Sequence, residues 1–491
     1  MRAVDLAMLL PIILPAFTAT AVMLTLALRR SHGLAVGLTL AGLAASFASV
    51  LGVSVMAPHR VTSLIVVDGY ALFFMGLILC ATFVVALQAR AYLNGRGDRP
   101  EEFYVFLLLA ATGASTLVAS SHFASFVLGL EALSISLYAL IAYEREAPLR
   151  IEAGIKYLIL AAFSAGFLLF GMALIYAEAG TMEFAEIASR LGVEGQMHFV
   201  PILLGLALVF VGLGFKLALV PFHLWAPDVY QGAPAPVSGF IATVSKGAVF
   251  ALLLRYYSVL HLHAHGPVQL LLMLIAIASM FGGNLLALLQ NNVKRLLAYS
   301  SIAHLGYLLV ALLSSGRLAV AAAGYYLVAY FVTTLGAWGV VGALSGKDGD
   351  AESLDDYRGL AWRRPWLAGV FTAMLLSLIG IPVTAGFIGK FYVLAAGVTS
   401  SLWLLVVILV INSAIGLFYY LRVVVVLYGH ARMNEPEGTG QSKQPLPAPS
   451  LSPAGGVALC GLTLALIWLG VFPGPLMHVI EAARMLVPAG R

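Results

Sequence analysis

The chain has 491 residues, of which 61% are apolar and 10% charged, with a formal net charge of +5. An ordinary soluble domain is about 25% charged, whereas this chain combines a mean hydropathy of +0.99 with repeated apolar runs of 18 or more residues. It reads as a polytopic membrane protein, which excludes a nucleic-acid binder, a disulfide scaffold, a disordered chain and an outer-membrane barrel of alternating strands.

The N-terminus carries Arg2 and Asp5 before an apolar stretch of about 23 residues. That is longer than the apolar region of a signal peptide and predicts a first span. Spans are predicted at roughly 6–28, 33–56, 69–90, 103–119, 122–143, 151–177, 199–219, 234–260, 268–290, 295–313, 317–344, 366–397, 401–428 and 455–472, 14 in all. Backbone N–H groups in lipid need internal partners, so such runs are helices. The chain reads as one all-α domain, 1–491, with three leading helices in 1–102. Cys80 and Cys460 lie inside apolar runs without metal-ligand spacing and read as core fillers.

Lys and Arg set orientation. The odd-numbered connections hold Arg29, Arg30, Arg90, Arg96, Arg99, Arg145, Arg150, Lys294, Arg295, Lys347, Arg358, Arg363, Arg364, Arg432 and Lys443. The even-numbered ones hold Arg60, Arg190, Arg255 and Arg317. The odd face is therefore expected to be cytoplasmic and both termini to face outward. Within 178–198, Glu183, Phe184, Ile187, Ala188 and Leu191 recur at helical spacing and predict a short interfacial helix. The Pro-, Gly- and Ser-rich stretch 431–454 reads as a flexible tether.

Five ionisable residues fall within spans: Glu131 in span 5, Lys156 in span 6, Lys216 in span 7, Lys246 in span 8 and Lys390 in span 12. At roughly 2.5–3.5 kcal/mol each at the bilayer centre they total roughly 12–17 kcal/mol, comparable to a typical folding stability of about 5–15 kcal/mol. They are tolerable only facing the interior, paired or hydrated, and such groups default to an ion or proton pathway. The alternative for each is a structural salt bridge. Lys156 is nearer a span end and is able to snorkel, as is Arg255 at the outer end of span 8. His304 in span 10 fits a proton relay and a hydrogen-bonded core histidine equally.

Two spans carry helix-breaking chemistry. GLGFKLALVPFHLWAPDVYQGAPAP (212–236) places Lys216 before Pro221, Pro227, Pro234 and Pro236. SLIGIPVTAGFIGKFYVLAAG (377–397) places Gly380, Pro382, Gly386 and Gly389 before Lys390. Proline removes a backbone donor, and open backbone at membrane depth must face protein or water. The breaks lie five spans apart, so spans 4–8 (103–260) and 9–13 (268–428) would form two units of opposite orientation, the inverted-repeat pattern of transporters. Lysines outnumber carboxylates four to one at these positions, which suits protons better than a hard cation that wants several oxygen ligands. Desolvation disfavours a charged lysine and a nearby carboxylate favours it, so motion of Glu131 relative to Lys216 would load and unload a proton.

The stretches FVLGLEALSISLYALIAY (126–143), 214–250, NNVKRLLAYSSIAHLGYLL (291–309) and IPVTAGFIGKFYVLAAG (381–397) resemble the subunit N family of bacterial respiratory complex I, the proton-translocating NADH-quinone oxidoreductase. The resemblance covers nearly the whole chain. It implies a fold of 14 helices with two inverted five-helix units, and broken helices 7 and 12. It also implies that Glu131 and Lys216 form the charged pair of a first half-channel, that Lys246 links it to the centre, that Lys390 serves a second half-channel, and that Lys156 is the family's sixth-helix lysine.

The implied partners are the antiporter-like M and L subunits and the small K, J and A subunits, in a bacterial cytoplasmic (inner) membrane. NADH and quinone (ubiquinone among them) would be met only through the complex. Flavin mononucleotide (FMN) and iron–sulfur clusters would sit in partner subunits; this sequence has neither a GxGxxG motif nor a cysteine cluster. The related L subunit has a long lateral helix after its core, whereas this chain stops about 19 residues after its last span; the M subunit has Glu where this chain has Lys390. The rival readings are a subunit of a multi-subunit cation/proton antiporter or membrane-bound hydrogenase, and a non-conducting structural subunit. Sodium coupling would want more membrane carboxylates than Glu131, and five deep charges argue against a merely structural role.

Overall fold

The computed structural model describes residues 3–94, 96, 99–144, 147–191, 199–346, 349–429 and 453–485. The tether expected at 431–454 lies almost wholly outside these residues. Among the described residues the fold is all-α apart from one short hairpin. The first helices are α1 (Ala3–Leu28), α2 (His32–Val53) and α3 (Gly69–Leu93), with β1 (His59–Arg60) and β2 (Val66–Val67) antiparallel between α2 and α3. There follow α4 (Phe103–Val118), α5 (Phe123–Ile141), α6 (Pro148–Ala179), α7 (Phe184–Leu191), α8 (Phe199–Leu217), α9 (Trp225–Gly232), α10 (Ala235–Phe240) and α11 (Lys246–Val259). The remainder comprises α12 (Gly266–Leu288), α13 (Val293–Leu313), α14 (Arg317–Leu344), α15 (Leu360–Arg363), α16 (Pro365–Ile379), α17 (Ala385–Thr399), α18 (Trp403–Tyr428), α19 (Pro453–Val471) and α20 (Gly474–Met485).

Twelve helical stretches among the described residues are long and apolar enough to cross a membrane. Expected span 4 is the 16-residue α4, and expected span 12 is the pair α16 and α17, of 15 residues each. Local chemistry sets the ends. Asp68, Asn292 and Thr384 cap α3, α13 and α17 by accepting from the backbone N–H of Ala71, Arg295 and Phe387. Pro148 and Pro365 open α6 and α16, where a missing N–H costs nothing. The short helix expected in 178–198 is α7, anchored by the buried Phe184 and Ile187.

Both expected breaks are present. After α8 the chain turns through Ala218, at φ +56°, and Pro221 before α9 resumes at Trp225. After α16 it passes Gly380 at φ +91° and Val383 at φ +73° before α17. A β-branched residue in the left-handed region costs on the order of 1–3 kcal/mol and persists where the surroundings enforce it. Here Gly386 is pressed so close to α16 that a Cβ would lie 1.9 Å from the Ser377 carbonyl oxygen. A third interruption was not read from sequence. Between α10 and α11 the segment Ile241–Ser245 widens into a π turn that ends at Lys246, a feature often found at functional positions.

The windows within Ala235–Val259 and Val293–Leu313 are buried throughout, so α10, α11 and α13 form the centre. Outer helices expose large apolar side chains, among them Phe17, Phe163, Phe418 and Ile467, as a lipid-facing surface requires. Two expectations are corrected. Arg255 does not snorkel: it is buried and pairs with Asp68 at 2.7 and 2.9 Å, because the cap of α3 supplies a carboxylate within reach. Cys80 and Cys460 are not core fillers but lie exposed on the apolar exterior, unpaired.

Candidate functional site

Three of the five deep charges are buried amines, each set at an interruption of a helix or beside one. Lys216 is the penultimate residue of α8, just before the first break, with 4% exposure. Its Nζ donates to Ser134 Oγ on α5 at 2.6 Å and lies 5.5 Å from the Tyr157 ring centre. Glu131 is three residues before Ser134 and so on the same face of α5. It is half-buried, and the hydrogen-bond partner of Lys216 is Ser134 rather than this carboxylate. The expected pair is thus a triad in which a neutral hydroxyl meets the amine while the carboxylate sits nearby.

Lys246 follows the π turn and is 1% exposed. Its Nζ donates to Ser301 Oγ on α13 and lies 5.4 Å from the Tyr230 ring centre. His304 is three residues after Ser301, hence on the same face of α13. Its Nδ1 is 2.6 Å from Tyr326 Oη and its Nε2 3.3 Å from Tyr420 Oη, which in turn hydrogen-bonds Ser300. Lys390 follows the second break. Its Nζ donates to the Ile379 carbonyl at 2.8 Å, near the end of α16, and to Ser413 Oγ at 3.3 Å. A cation at a helix C-terminus is favoured by the unpaired carbonyls there. His304 and Lys390 line one small cavity of about 10 Å³ with Tyr326 and Ser377, room for about one water.

Lys156 does not join this row. It lies exposed near the start of α6, paired with Glu152 at 2.7 Å and Asp228 at 3.1 Å. Lys216 and Lys246 are bridged by aromatic rings rather than hydrogen bonds: Tyr157 against Trp225 with centres 5.0 Å apart, Trp225 against Tyr230 at 6.3 Å, then Lys246.

Sequence reasoning missed the partners of these groups. Ser134 and Ser301 had a signal, since each stands three residues from a residue already singled out. The Asn284 and Asn412 pair, linked at 3.1 Å, with Tyr307 and Tyr419 each 3.0 Å from Asn284, had none beyond polarity within a span. Also missed was a second buried charge cluster at the odd-connection face. Lys294 Nζ donates to Asp350 Oδ2 at 2.7 Å and to the carbonyls of Gln231 and Ala233 at 2.7 and 2.8 Å. Arg96 lies 3.2 Å from Asp350, Tyr92 Oη donates to it at 2.6 Å, and Arg150 pairs with Glu144. The cluster pins the end of α9. Burial raises the proton affinity of Asp350, but Lys294, Tyr92 and Arg150 outweigh it and hold its carboxyl well below the usual range. Among the described residues no group of three or more His, Cys, Asp or Glu is placed to hold a metal ion.

A helical bundle with two broken helices, a π turn in a third and a central file of buried amines defines a polytopic membrane protein with the broken-helix architecture of transporters. Residues 120–416 match the family model described as NADH:quinone oxidoreductase/Mrp antiporter, TM. The chain is 55% identical to NADH-quinone oxidoreductase subunit N of Nitrosospira multiformis, over 98% of this chain and 96% of that protein. It is 49% identical to the subunit N of Ectopseudomonas mendocina, over 98% and 97%. A chain of the respiratory complex I from Thermus thermophilus with bound aureothin is similar, with a TM-score of 0.78 and 33% identity over 95% of this chain and 98% of that one. The chain belongs to the NADH-quinone oxidoreductase subunit N family.

Proposed function

We propose that this chain is a proton-translocating membrane-arm subunit of an NADH-quinone oxidoreductase, a translocase that performs no redox chemistry of its own. Electron transfer from NADH to quinone takes place in partner subunits, which carry the flavin and the iron–sulfur clusters. The partners are the antiporter-like M and L subunits and the small K, J and A subunits, in a bacterial cytoplasmic membrane with both termini outward. Spans 4–8 and 9–13 act as two inverted units. Protons pass along Glu131, Lys216, Lys246, His304 and Lys390, while Lys156 tunes the rim through Asp228.

The observation that carries this reading is the partner chemistry of Lys216: a buried amine hydrogen-bonded to a hydroxyl at 2.6 Å rather than locked in an ion pair. A neutral partner lets the amine lose and regain its proton without stranding a buried carboxylate. Full-length similarity to subunit N proteins favours this over a multi-subunit antiporter. The test is Lys216→Ala in the assembled complex. Proton pumping is expected to fall, and quinone reduction with it where coupling is tight, with Glu131→Gln acting in the same direction. Normal pumping by an intact Lys216→Ala complex overturns the reading.

A further inference from the structure

α14 carries Tyr326, Tyr330, Thr334 and Trp338 at four-residue intervals, and therefore on one face. All four are buried. One end of this stripe touches the site already described, through Tyr326 and His304. The other end reaches a cavity of about 680 Å³ at the odd-connection face, lined by Gln88, Tyr92, Arg96, Trp338, Gly342 and Ser345.

The polar atoms between the two ends lack close hydrogen bonds among the described residues. Tyr330 Oη, Thr334 Oγ1 and Trp338 Nε1 are buried without a hydrogen bond to any described residue, and so is Gln88 Oε1 at the cavity wall. Leaving such a group dry is costly, and buried polar groups that lack a protein partner are met by water. Ser301, which accepts from Lys246, and Thr334 both flank the Tyr330 hydroxyl within weak hydrogen-bonding reach. Four polar atoms without a close hydrogen bond thus run from the cavity to the hydroxyl that holds the central amine.

We propose that the α14 stripe is a hydrated path that delivers protons from this cavity to Ser301 and Lys246. It rests on the reading above that Lys246 carries protons. In each hop one O–H bond breaks as the next forms, and the last proton makes an N–H bond on the neutral amine of Lys246; nothing is oxidised or reduced. Tyr330 and Thr334 pass or hold the water chain. Trp338, a donor only, orients water at the cavity floor.

Two variants of the intact complex in inside-out membrane vesicles test this. Thr334→Val keeps the volume and deletes the hydroxyl; proton uptake per NADH oxidised is expected to fall about two- to tenfold, the cost of one lost hydrogen-bonded step, and Thr334→Ser to restore it. Gly342→Cys fits, since a Cβ there meets only Ala235 Cβ at 3.7 Å and Tyr92 Cδ2 at 3.8 Å. With Cys80→Ala and Cys460→Ala as background, a charged methanethiosulfonate added at the odd-connection face is expected to label Gly342→Cys and to depress proton uptake.

A thiol that stays unlabelled, as in a cavity filled by lipid, overturns the proposal. So does normal pumping both in Thr334→Val and after labelling. Lys246→Ala separates the two levels. If that variant pumps normally the functional reading fails; if it is dead while the Thr334 variant and the labelled Gly342 variant pump normally, only the path fails. Should Thr334→Val not assemble on a native gel, the labelled Gly342→Cys complex carries the test.

Discussion

The chain buries lysines in two different ways. At the odd-connection face Lys294 sits against Asp350 at 2.7 Å, with Arg96 and Arg150 sharing Asp350 and Glu144. In the membrane interior Lys216, Lys246 and Lys390 meet hydroxyls and one backbone carbonyl. Burial alone does not separate the groups, since Lys294 and Lys246 are both 1% exposed. What differs is the partner. A carboxylate fixes the charge, because deprotonating the amine would strand an anion in a low dielectric. A hydroxyl donates or accepts as required and tolerates either state. The rim cluster is built to keep its charge, and the proposed pathway to change it.

The largest expected effect comes from stripping the fixed cluster of its anion. Asp350→Asn leaves Lys294, Arg96 and Arg150 facing one another with Glu144 alone among the carboxylates. Breaking a buried pair in this way costs about 3–5 kcal/mol, to be read as a lowered unfolding midpoint of the purified complex or a loss of assembled complex. The same carboxylate predicts an acid limb. Its native proton affinity is depressed, so its contribution is fully present above the unfolded-state value of about 3.9 and is lost as pH falls below it. The wild type is expected to lose stability more steeply than Asp350→Asn as pH falls below about 4. Parallel curves would show that Asp350 is not the anion that matters.

Next in size is an exchange that keeps charge and removes the ability to release it. Arginine is not deprotonated in proteins. Lys246→Arg is therefore expected to cut proton translocation about a hundredfold, the low end of what one positioned proton-transfer group supplies, in a complex that still assembles. Lys294→Arg is expected to spare translocation in whatever complex assembles. Equal loss of pumping from both variants would erase the distinction between fixed and exchangeable charge.

How much of this was legible in the sequence follows the same division. Lys216, Lys246 and Lys390 could be singled out because a charge inside a 20-residue apolar run is costly wherever it points, and the prolines and glycines beside Lys216 and Lys390 announced the breaks. The partners were not legible. Serine, tyrosine and asparagine are compatible with any face of a membrane helix, so Ser134, Ser301 and Asn284 gained meaning only once the helices were docked. The rim cluster was not legible for the opposite reason. Arg96, Arg150 and Lys294 sit where orientation signals sit, at span ends, and nothing in their spacing says that Asp350 will be buried among them. Arg255 failed likewise, since depth along a span does not reveal that Asp68 waits across the bundle. The π turn before Lys246 has no proline or glycine to mark it; packing of α10 against α14, where a Cβ on Gly239 would come within 3.1 Å of Trp338 Cβ, accompanies it.

The smallest expected effect falls on a partner rather than on an amine. Ser134 Oγ accepts from Lys216 and donates to the Leu130 carbonyl, both at 2.6 Å, so it is a relay already oriented within its own helix. Ser134→Ala deletes one hydrogen bond to the amine, about 0.5–1.5 kcal/mol, and leaves it facing the Tyr157 and Phe215 rings. Translocation is expected to fall by about tenfold or less, with Ser134→Thr close to wild type because the hydroxyl returns. The sign carries the argument. If the hydroxyl merely filled space, alanine and threonine would rank by fit, and the smaller residue would be the milder change. If it holds the amine in a state from which a proton leaves, threonine is the milder one despite its extra methyl in a tightly packed helix face.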